Sequence, residues 1–292
     1  MALLTGKVAL VTGAGGGLGK TYALLLAQHE CNVVVNDLGG SRDGSGAGTS
    51  MADAVVQEIS ELGGRAIANH GSVANAQDAR KMVAQAVEHF GKLDILIANA
   101  GILRDKTFKN MTDDMWNAVI DVHLNGTFYT AKASYDQMLK QGTGGRIIVT
   151  SSTSGLFGKF GQTNYGAAKA GIAGLARTLY LEGMKYGVTV NVIAPTATSR
   201  MTEDIFTEAI KQQLAPEKIA PMVVWLCSDA AREISGRTFL VAGNRVALLS
   251  WQMDNLAIKS ESDKPWEVEQ LGQKILETQS AWPEINPLLS ND

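Results

Sequence analysis

At 292 residues, with 45% hydrophobic and 19% charged residues, the chain is long enough for one large α/β domain with a sizeable core. A net charge of -3 leaves no electrostatic footprint for a nucleic-acid partner, and no apolar run approaches the roughly 18 residues of a membrane span. The two cysteines, Cys31 and Cys227, have neither metal-ligand spacing nor a disulfide framework and point to a reducing, cytoplasmic setting.

The opening run MALLTGKVALVTG breaks at Gly6-Lys7 and reads as a buried strand rather than a signal peptide. Strands are predicted over 7–12, 32–36, 65–69, 93–98, 145–150, 187–193 and 237–241. Helices are predicted over 18–30, 50–62, 75–90, 112–141, 164–186 and 217–230. Several strands are almost continuously apolar, as burial on both faces requires. The alternation therefore predicts an α/β fold, a doubly wound parallel sheet with helices on both faces. The one low-complexity loop is GGSRDGSGAG, residues 39–48. Residues 1–250 carry this pattern. Residues 251–292 change character, with Trp251, Trp266 and Trp282 in a weakly helical stretch too aromatic to be left in water, and are expected to pack on the core or a neighbouring subunit. The chain ends Ser-Asn-Asp, which is no peroxisomal address.

Between the first strand and the first helix lies Thr12-Gly13-Ala14-Gly15-Gly16-Gly17-Leu18-Gly19. Glycines let the backbone turn tightly and approach a pyrophosphate, and the helix amino terminus offers N–H groups and a positive dipole end. The second strand ends at Asp37, where a carboxylate can accept from both ribose hydroxyls of an adenosine and repel a 2′-phosphate, so NAD is expected over NADP. Asn99-Ala100-Gly101 ends the fourth strand, and Pro195 to Met201 follows the sixth on the same sheet edge, where open α/β sheets bind ligands. Residues 199–214 carry the mixed pattern of an amphipathic lid.

Ser152 ends the apolar run RIIVTSS, and Tyr165 and Lys169 stand four apart in an alanine-rich helix, hence on one face. A phenol titrates at about 10 and needs roughly 4 kcal/mol of help to act as a base near neutrality. An ammonium one turn away supplies positive charge where the phenolate forms. Taken alone, such spacing is also what an ordinary surface helix shows. Its place in the ordered set of motifs is what gives it weight.

TGAGGGLG, Asp37, NAG, Ser152 and YGAAK, in this order and spacing over about residues 5–245, resemble the short-chain dehydrogenase/reductase family. The resemblance implies a seven-stranded Rossmann-like sheet, usually assembled as dimers or tetramers. It implies a cofactor site of Gly13, Gly17, Leu18, Gly19, Asp37, Ser72, Val73, Asn99, Ala100, Gly101, Tyr165, Lys169, Pro195 and Thr198, with no metal. Ser152 would orient the substrate oxygen, Tyr165 would be the acid/base, and Lys169 would bind the nicotinamide ribose and lower the tyrosine pKa. Three positions depart from the family pattern. His123 replaces an asparagine in Val122-His123-Leu124-Asn125-Gly126, Ser72 replaces an aspartate, and Thr196 replaces a glycine. An imidazole can exchange protons near neutral pH, so His123 is expected to support a proton relay.

NDLGGSRDGSGAG, GILRD, DVHLNGTF and GLFGKFGQTNYGAAK are similar to a narrower group, the dehydrogenase domains of the type 2 peroxisomal multifunctional enzymes. That group implies oxidation of (3R)-hydroxyacyl-CoA; the alternative is the same chemistry on a 17β-hydroxysteroid or another bulky hydrophobic alcohol. The group's hydratase and sterol-carrier regions are missing here, which reads as a stand-alone relative. An acyl-CoA would favour a basic entrance, for which Lys106, Lys109, Lys159 and Arg200 are candidates; a steroid would favour an apolar one. A non-catalytic nucleotide-binding protein is the remote alternative, disfavoured because Ser152, Tyr165 and Lys169 are all present.

Overall fold

The computed structural model describes residues 2–198, 207–259 and 264–282, and divides into two units, Met1–Leu249 and Ser250–Asp292. In the first unit the strands β1 (Val8–Thr12), β2 (Asn32–Asn36), β3 (Ala66–Asn69), β4 (Ile95–Ala98), β5 (Gly145–Thr150), β6 (Val188–Thr196) and β7 (Thr238–Ala242) pair in parallel. Their order is β3-β2-β1-β4-β5-β6-β7, so the winding direction reverses between β1 and β4. That reversal opens a crevice at the carboxyl edge of the sheet.

The apolar strands have the double burial their composition demands. Ala9, Val11, Val33, Val35, Ile95 and Ile97 enter the core on one face, while Val8, Leu10, Val34, Leu96, Ile147 and Val149 enter the core on the other. Helices α1 (Gly17–Gln28) and α2 (Ser50–Glu61) cover the first face through Tyr22, Leu26, Val55 and Ile59. Helix α3 (Ala76–Phe90) covers the second through Met82 and Ala86. It is capped at Asn75, whose side chain accepts from the Gln77 and Asp78 N–H groups, and it ends at Gly91 in the left-handed region.

Two features depart from the sequence reading. The predicted helix 112–141 is two helices, α4 (Asp113–Ile120) and α5 (Gly126–Gln141), joined by a π turn over Asp121–Asn125. Nothing breaks the apolar periodicity there, so the extra residue per turn is invisible to it; its effect is to turn His123 inward. The sheet also has an eighth strand, β8 (Arg245–Leu249), antiparallel to β7. The two-residue Gly243-Asn244 connection is the hairpin signal that announces it, with Gly243 at φ +55°.

Helices α6 (Thr153–Phe157) and α7 (Thr163–Gly183) follow β5, and α8 (Glu208–Gln213) and α9 (Ala220–Leu226) lie between β6 and β7. The expected lid, 199–214, falls partly outside the described residues; the part inside is Thr207 with α8, the Thr207 hydroxyl capping the helix at the Ile210 N–H. Among the described residues no helix is long and apolar enough to cross a membrane. In the second unit, α10 (Val268–Thr278) runs into a 3-10 turn, and the Trp282 indole N–H donates to Thr278 Oγ1 at 3.0 Å.

Candidate active site

The cofactor end is built by glycine. Gly13 sits at φ +63°, and a Cβ there would lie 2.7 Å from Ala100 Cα. A Cβ on Gly19 would lie 2.1 Å from the Gly13 carbonyl oxygen, so α1 can start this close to β1 only with hydrogen at that position. Asn99 ties the turn shut. Its Nδ2 donates to the Thr12 and Gly13 carbonyls at 3.1 Å each, and the Thr12 hydroxyl accepts from the Asn99 and Ala100 N–H groups. Asn99 thus holds the glycine turn in shape. The first turn of α1 has neither a capping side chain nor an acidic residue, so its N–H groups and positive dipole end stay available to an anion.

Asp37 directly follows β2 and is nearly buried, its two oxygens accepting from the Gly15 N–H at 2.8 Å and the Gly39 N–H at 2.7 Å. These bonds aim the carboxylate into a cleft of about 400 Å³. The cleft is lined by Gly13, Gly16, Gly17, Leu18, Asp37, Ser72, Val73, Asn99, Ala100, Gly101, Pro195 and, at its inner end, His123, Ser152, Tyr165 and Lys169. The structure therefore brings almost every predicted site residue onto one surface. Two stand apart: Gly19 acts through packing, and Thr198 is turned to the Leu214 and Lys211 carbonyls, which accept from its N–H and hydroxyl.

At the inner end, Ser152 is the residue before α6, and its hydroxyl accepts from the Ser154 N–H at 3.2 Å. Tyr165 and Lys169 stand one turn apart on α7. The Lys169 ammonium lies 5.5 Å from the Tyr165 ring centre and donates to the Thr150 carbonyl at 2.6 Å. Burial pulls the Lys169 pKa down to about 7. Burial pushes Tyr165 up to about 12; the Ser152 hydroxyl opposes that rise and Asp105 adds to it. Burial thus works against the phenolate expected from the Tyr–Lys spacing, and Tyr165 lines the cleft.

His123 packs edge-on against Tyr165, with ring centres 5.1 Å apart. Its Nε2 meets the Ile102 backbone, 2.8 Å from the carbonyl oxygen and 3.0 Å from the nitrogen. The proton relay expected through this imidazole meets a strong effect of burial. Burial, with the Lys169 charge, lowers its pKa to about 3, so the ring stays neutral throughout the physiological range.

Sequence reasoning missed the roof of the cleft. Leu38, Gly40, Ser41, Arg42 and Gly44 line it, along with Ile102, Leu103, Asp105 and Gln162. The loop they belong to is fastened down: the Leu103 N–H donates to the Arg42 carbonyl at 3.1 Å, and Arg104 Nε donates to the Asp43 carbonyl at 2.8 Å. Asp43 itself accepts from Ser41 and Ser45, which hold its carboxyl down at about 2. The Asp-Gly-Ser-Gly composition signals such a self-bonded turn, although not where it lands.

A family model described as short chain dehydrogenase matches residues 7–213. The chain belongs to the short chain dehydrogenase family. It is thereby an oxidoreductase acting on CH–OH groups, interconverting a secondary alcohol and a ketone with a nicotinamide cofactor. A short-chain type dehydrogenase/reductase of Mycobacterium tuberculosis is 49% identical over 82% of this chain and 83% of that protein. The peroxisomal multifunctional enzyme type 2 of Mus musculus is 46% identical over 89% of this chain, which spans only 35% of that enzyme's length. A hydroxyacyl-CoA dehydrogenase of Mycobacterium tuberculosis is 40% identical over 85% of this chain and 80% of that protein. Among solved structures, a short chain dehydrogenase from Mycobacterium avium superposes with a TM-score of 0.83 at 41% identity, covering 94% of this chain and 95% of that one.

Proposed function

We propose that the chain is an NAD-dependent dehydrogenase of 3-hydroxyacyl-CoA. The observation that carries the chemistry is a single cleft with a fixed carboxylate at one end and Ser152, Tyr165 and Lys169 at the other. The likeness to a hydroxyacyl-CoA dehydrogenase and to a peroxisomal multifunctional enzyme supports the substrate class.

The cleft's chemistry fits a dinucleotide. Backbone N–H groups at the start of α1 suit a pyrophosphate, and Asp37, already oriented by Gly15 and Gly39, suits two ribose hydroxyls and repels a 2′-phosphate. Gly13, Gly17, Leu18, Ser72, Val73, Asn99, Ala100, Gly101, Pro195 and the Lys169 side chain are the residues that would hold the cofactor. When bound, an oxidised nicotinamide supplies the hydride acceptor and a positive ring charge.

The rest belongs to the chain's own residues. Ser152 holds the substrate oxygen in line with Tyr165. Tyr165, with its pKa pushed up to about 12, rests as a phenol and is ready to donate when a ketone is reduced; to accept a proton from an alcohol it needs added positive charge nearby. Lys169, at about 7, can lose and regain a proton near neutrality, and so it, rather than His123, connects Tyr165 to water. His123 is a positioning residue: it stays neutral and fixes the Tyr165 ring from the side.

Residues 1–250 carry this chemistry, and 251–292 form an extension that packs on the core or on a neighbouring subunit. The exposed Trp251, Met253 and Leu276 support that, because such side chains are seldom left in water. A homodimer or homotetramer is supported by exposed Phe128 on α5 and Leu181, Met184 and Tyr186 at the end of α7 and beyond. A reducing, cytoplasmic compartment is supported by the two cysteines, both buried as free thiols whose pKa values burial raises. The deciding experiment measures reduced-nicotinamide absorbance with 3-hydroxyacyl-CoA and with 17β-hydroxysteroids, each with NAD and with NADP. Fastest turnover is expected with NAD and 3-hydroxyacyl-CoA; preference for the steroid would replace the substrate, and turnover of neither would end the reading.

A further inference from the structure

Two segments meet beside the inner end of the cleft. The Lys106 N–H donates to the Gly161 carbonyl at 3.0 Å, and Lys106 bridges to Gln162 in parallel fashion, so Asp105-Lys106 and Gly161-Gln162 form a short seam. Asp105 and Gln162 face the cleft from this seam, joined by a 2.7 Å bond from Gln162 Nε2 to the carboxylate. Lys159 lines the cleft as well.

The chain on either side of the seam is unusual. Phe108 is 76% exposed and Phe160 is 89% exposed, and both belong to the well-packed first unit. Lys106 and Lys109 flank Phe108, and Lys159 precedes Phe160; all three are exposed, and among the described residues none of them forms an ion pair. Phenylalanine at such exposure forgoes burial with no packing return. Aromatic faces interleaved with lysines are what an adenine and its phosphates select: the base stacks, and the phosphates meet ammonium groups.

We propose that this seam and the exposed side chains beside it bind the 3′-phosphoadenosine diphosphate end of a coenzyme A thioester, with Phe108 against the adenine, Lys106 and Lys109 at the phosphates and Phe160 beside the pantetheine arm. Lys159 stands where the pantetheine arm passes from the seam into the cleft. The proposal rests on the acyl-CoA reading of the cleft and assigns that reading a second, nucleotide-binding subsite. The site is distinct from the Asp37 end of the cleft, so the enzyme holds two adenosines, one for the cofactor and one for the substrate. An acidic acyl carrier protein shares the pantetheine arm but brings no adenine, and the exposed Phe108 beside two lysines favours coenzyme A.

The test compares two thioesters of the same 3-hydroxyacyl chain, one on coenzyme A and one on N-acetylcysteamine, which ends after the first amide. In the wild type kcat/KM should favour the coenzyme A thioester by about tenfold or more, through KM, since one stacked base alone contributes on that order. The preference should weaken with salt. In the surface variant Phe108→Ser/Phe160→Ser/Lys106→Glu/Lys109→Glu the ratio should collapse towards one. Free 3′-phosphoadenosine 5′-diphosphate should compete with the coenzyme A thioester and not with NAD, and the variant should lose that inhibition. A wild-type ratio near one, or a variant that keeps the ratio, overturns the subsite and leaves the dehydrogenase reading standing. A carrier-protein thioester used better than the coenzyme A thioester, with the advantage lost in the variant, overturns it by giving the seam to a protein. Turnover of neither thioester removes the acyl-CoA reading itself.

Discussion

Lys169→Met should make the protein more stable and inactive. Lys169 is 3% exposed, and burial moves its pKa from 10.5 to about 7. At about 1.4 kcal/mol per pH unit, that displacement means the buried ammonium costs roughly 5 kcal/mol of folding stability when it is fully charged. Methionine has a similar length and no charge to desolvate. It forfeits the 2.6 Å bond to the Thr150 carbonyl, and leaving that oxygen unpaired costs about 1–3 kcal/mol. The balance favours methionine by roughly 2–4 kcal/mol, or about 4–16 °C in Tm for a unit of this size.

The sign depends on pH in a way no packing effect reproduces. Between about pH 7 and 10.5 the unfolded chain holds the lysine proton that the folded chain has released, so wild-type stability rises with pH across that window. Below about pH 7 both states are protonated and the whole penalty is present. The methionine variant should therefore melt well above wild type near pH 6 and lose its advantage towards pH 9–10, where the forfeited Thr150 bond begins to dominate. Thermal denaturation without added cofactor, followed by near-UV circular dichroism across that range, measures this. A variant that melts below wild type at pH 6, or a difference that does not change with pH, refutes the argument.

Tyr165→Phe should lower kcat by about 10²–10⁴ while leaving NAD affinity within a few-fold, because only the proton-transferring oxygen is removed; equilibrium titration of the cofactor beside steady-state kinetics separates the two. Asp37→Ala should narrow the preference for NAD over NADP proposed above, measured as a ratio of kcat/KM values, since the carboxylate just after β2 disappears while Arg42 still lines the same cleft. Gly19→Ala should weaken cofactor binding and cost about 1–3 kcal/mol or more of stability, because its Cβ meets the Gly13 carbonyl at 2.1 Å with only backbone to give way; wild-type NAD affinity in that variant would contradict the account of the turn. With His123 titrating at about 3, His123→Asn should lower kcat but leave the pH–rate profile between about pH 6 and 9 unchanged in shape, and a lost ionisation in that range would restore the relay.

Much of this arrangement is legible in the sequence because it is local. A glycine turn between strand and helix, an acid just after β2, and Tyr165 and Lys169 one turn apart are set by spacing of a few residues, and their order along an alternating α/β chain fixes the sheet edge they share. What the sequence hides depends on environment. His123, Tyr165 and Lys169 are all displaced chiefly by burial, and burial is a property of the packed neighbours rather than of the motif. The π turn is hidden for another reason. It adds a residue to one turn without disturbing which residues are apolar, so a periodic reading runs straight through it. The roof loop was visible as composition, but its destination over the cleft rests on Arg42–Leu103 and Asp43–Arg104 bonds between segments about sixty residues apart.

The π turn and the glycine that ends NAG are two halves of one structural choice. A Cβ at residue 101 would lie 2.3 Å from His123 Cε1, so the imidazole can reach the Ile102 backbone only because residue 101 has no side chain. The π turn brings the ring inward to that gap, and the gap holds it beside Tyr165. Neutrality follows from the same burial. A charged imidazolium there would face Lys169 and the positive nicotinamide ring that the site exists to receive, and three like charges around one phenol would be costly in so dry a pocket. A neutral ring avoids this. It fixes the tyrosine without adding charge, and it leaves the ammonium of Lys169 as the one group of the three able to take up and release a proton near neutral pH.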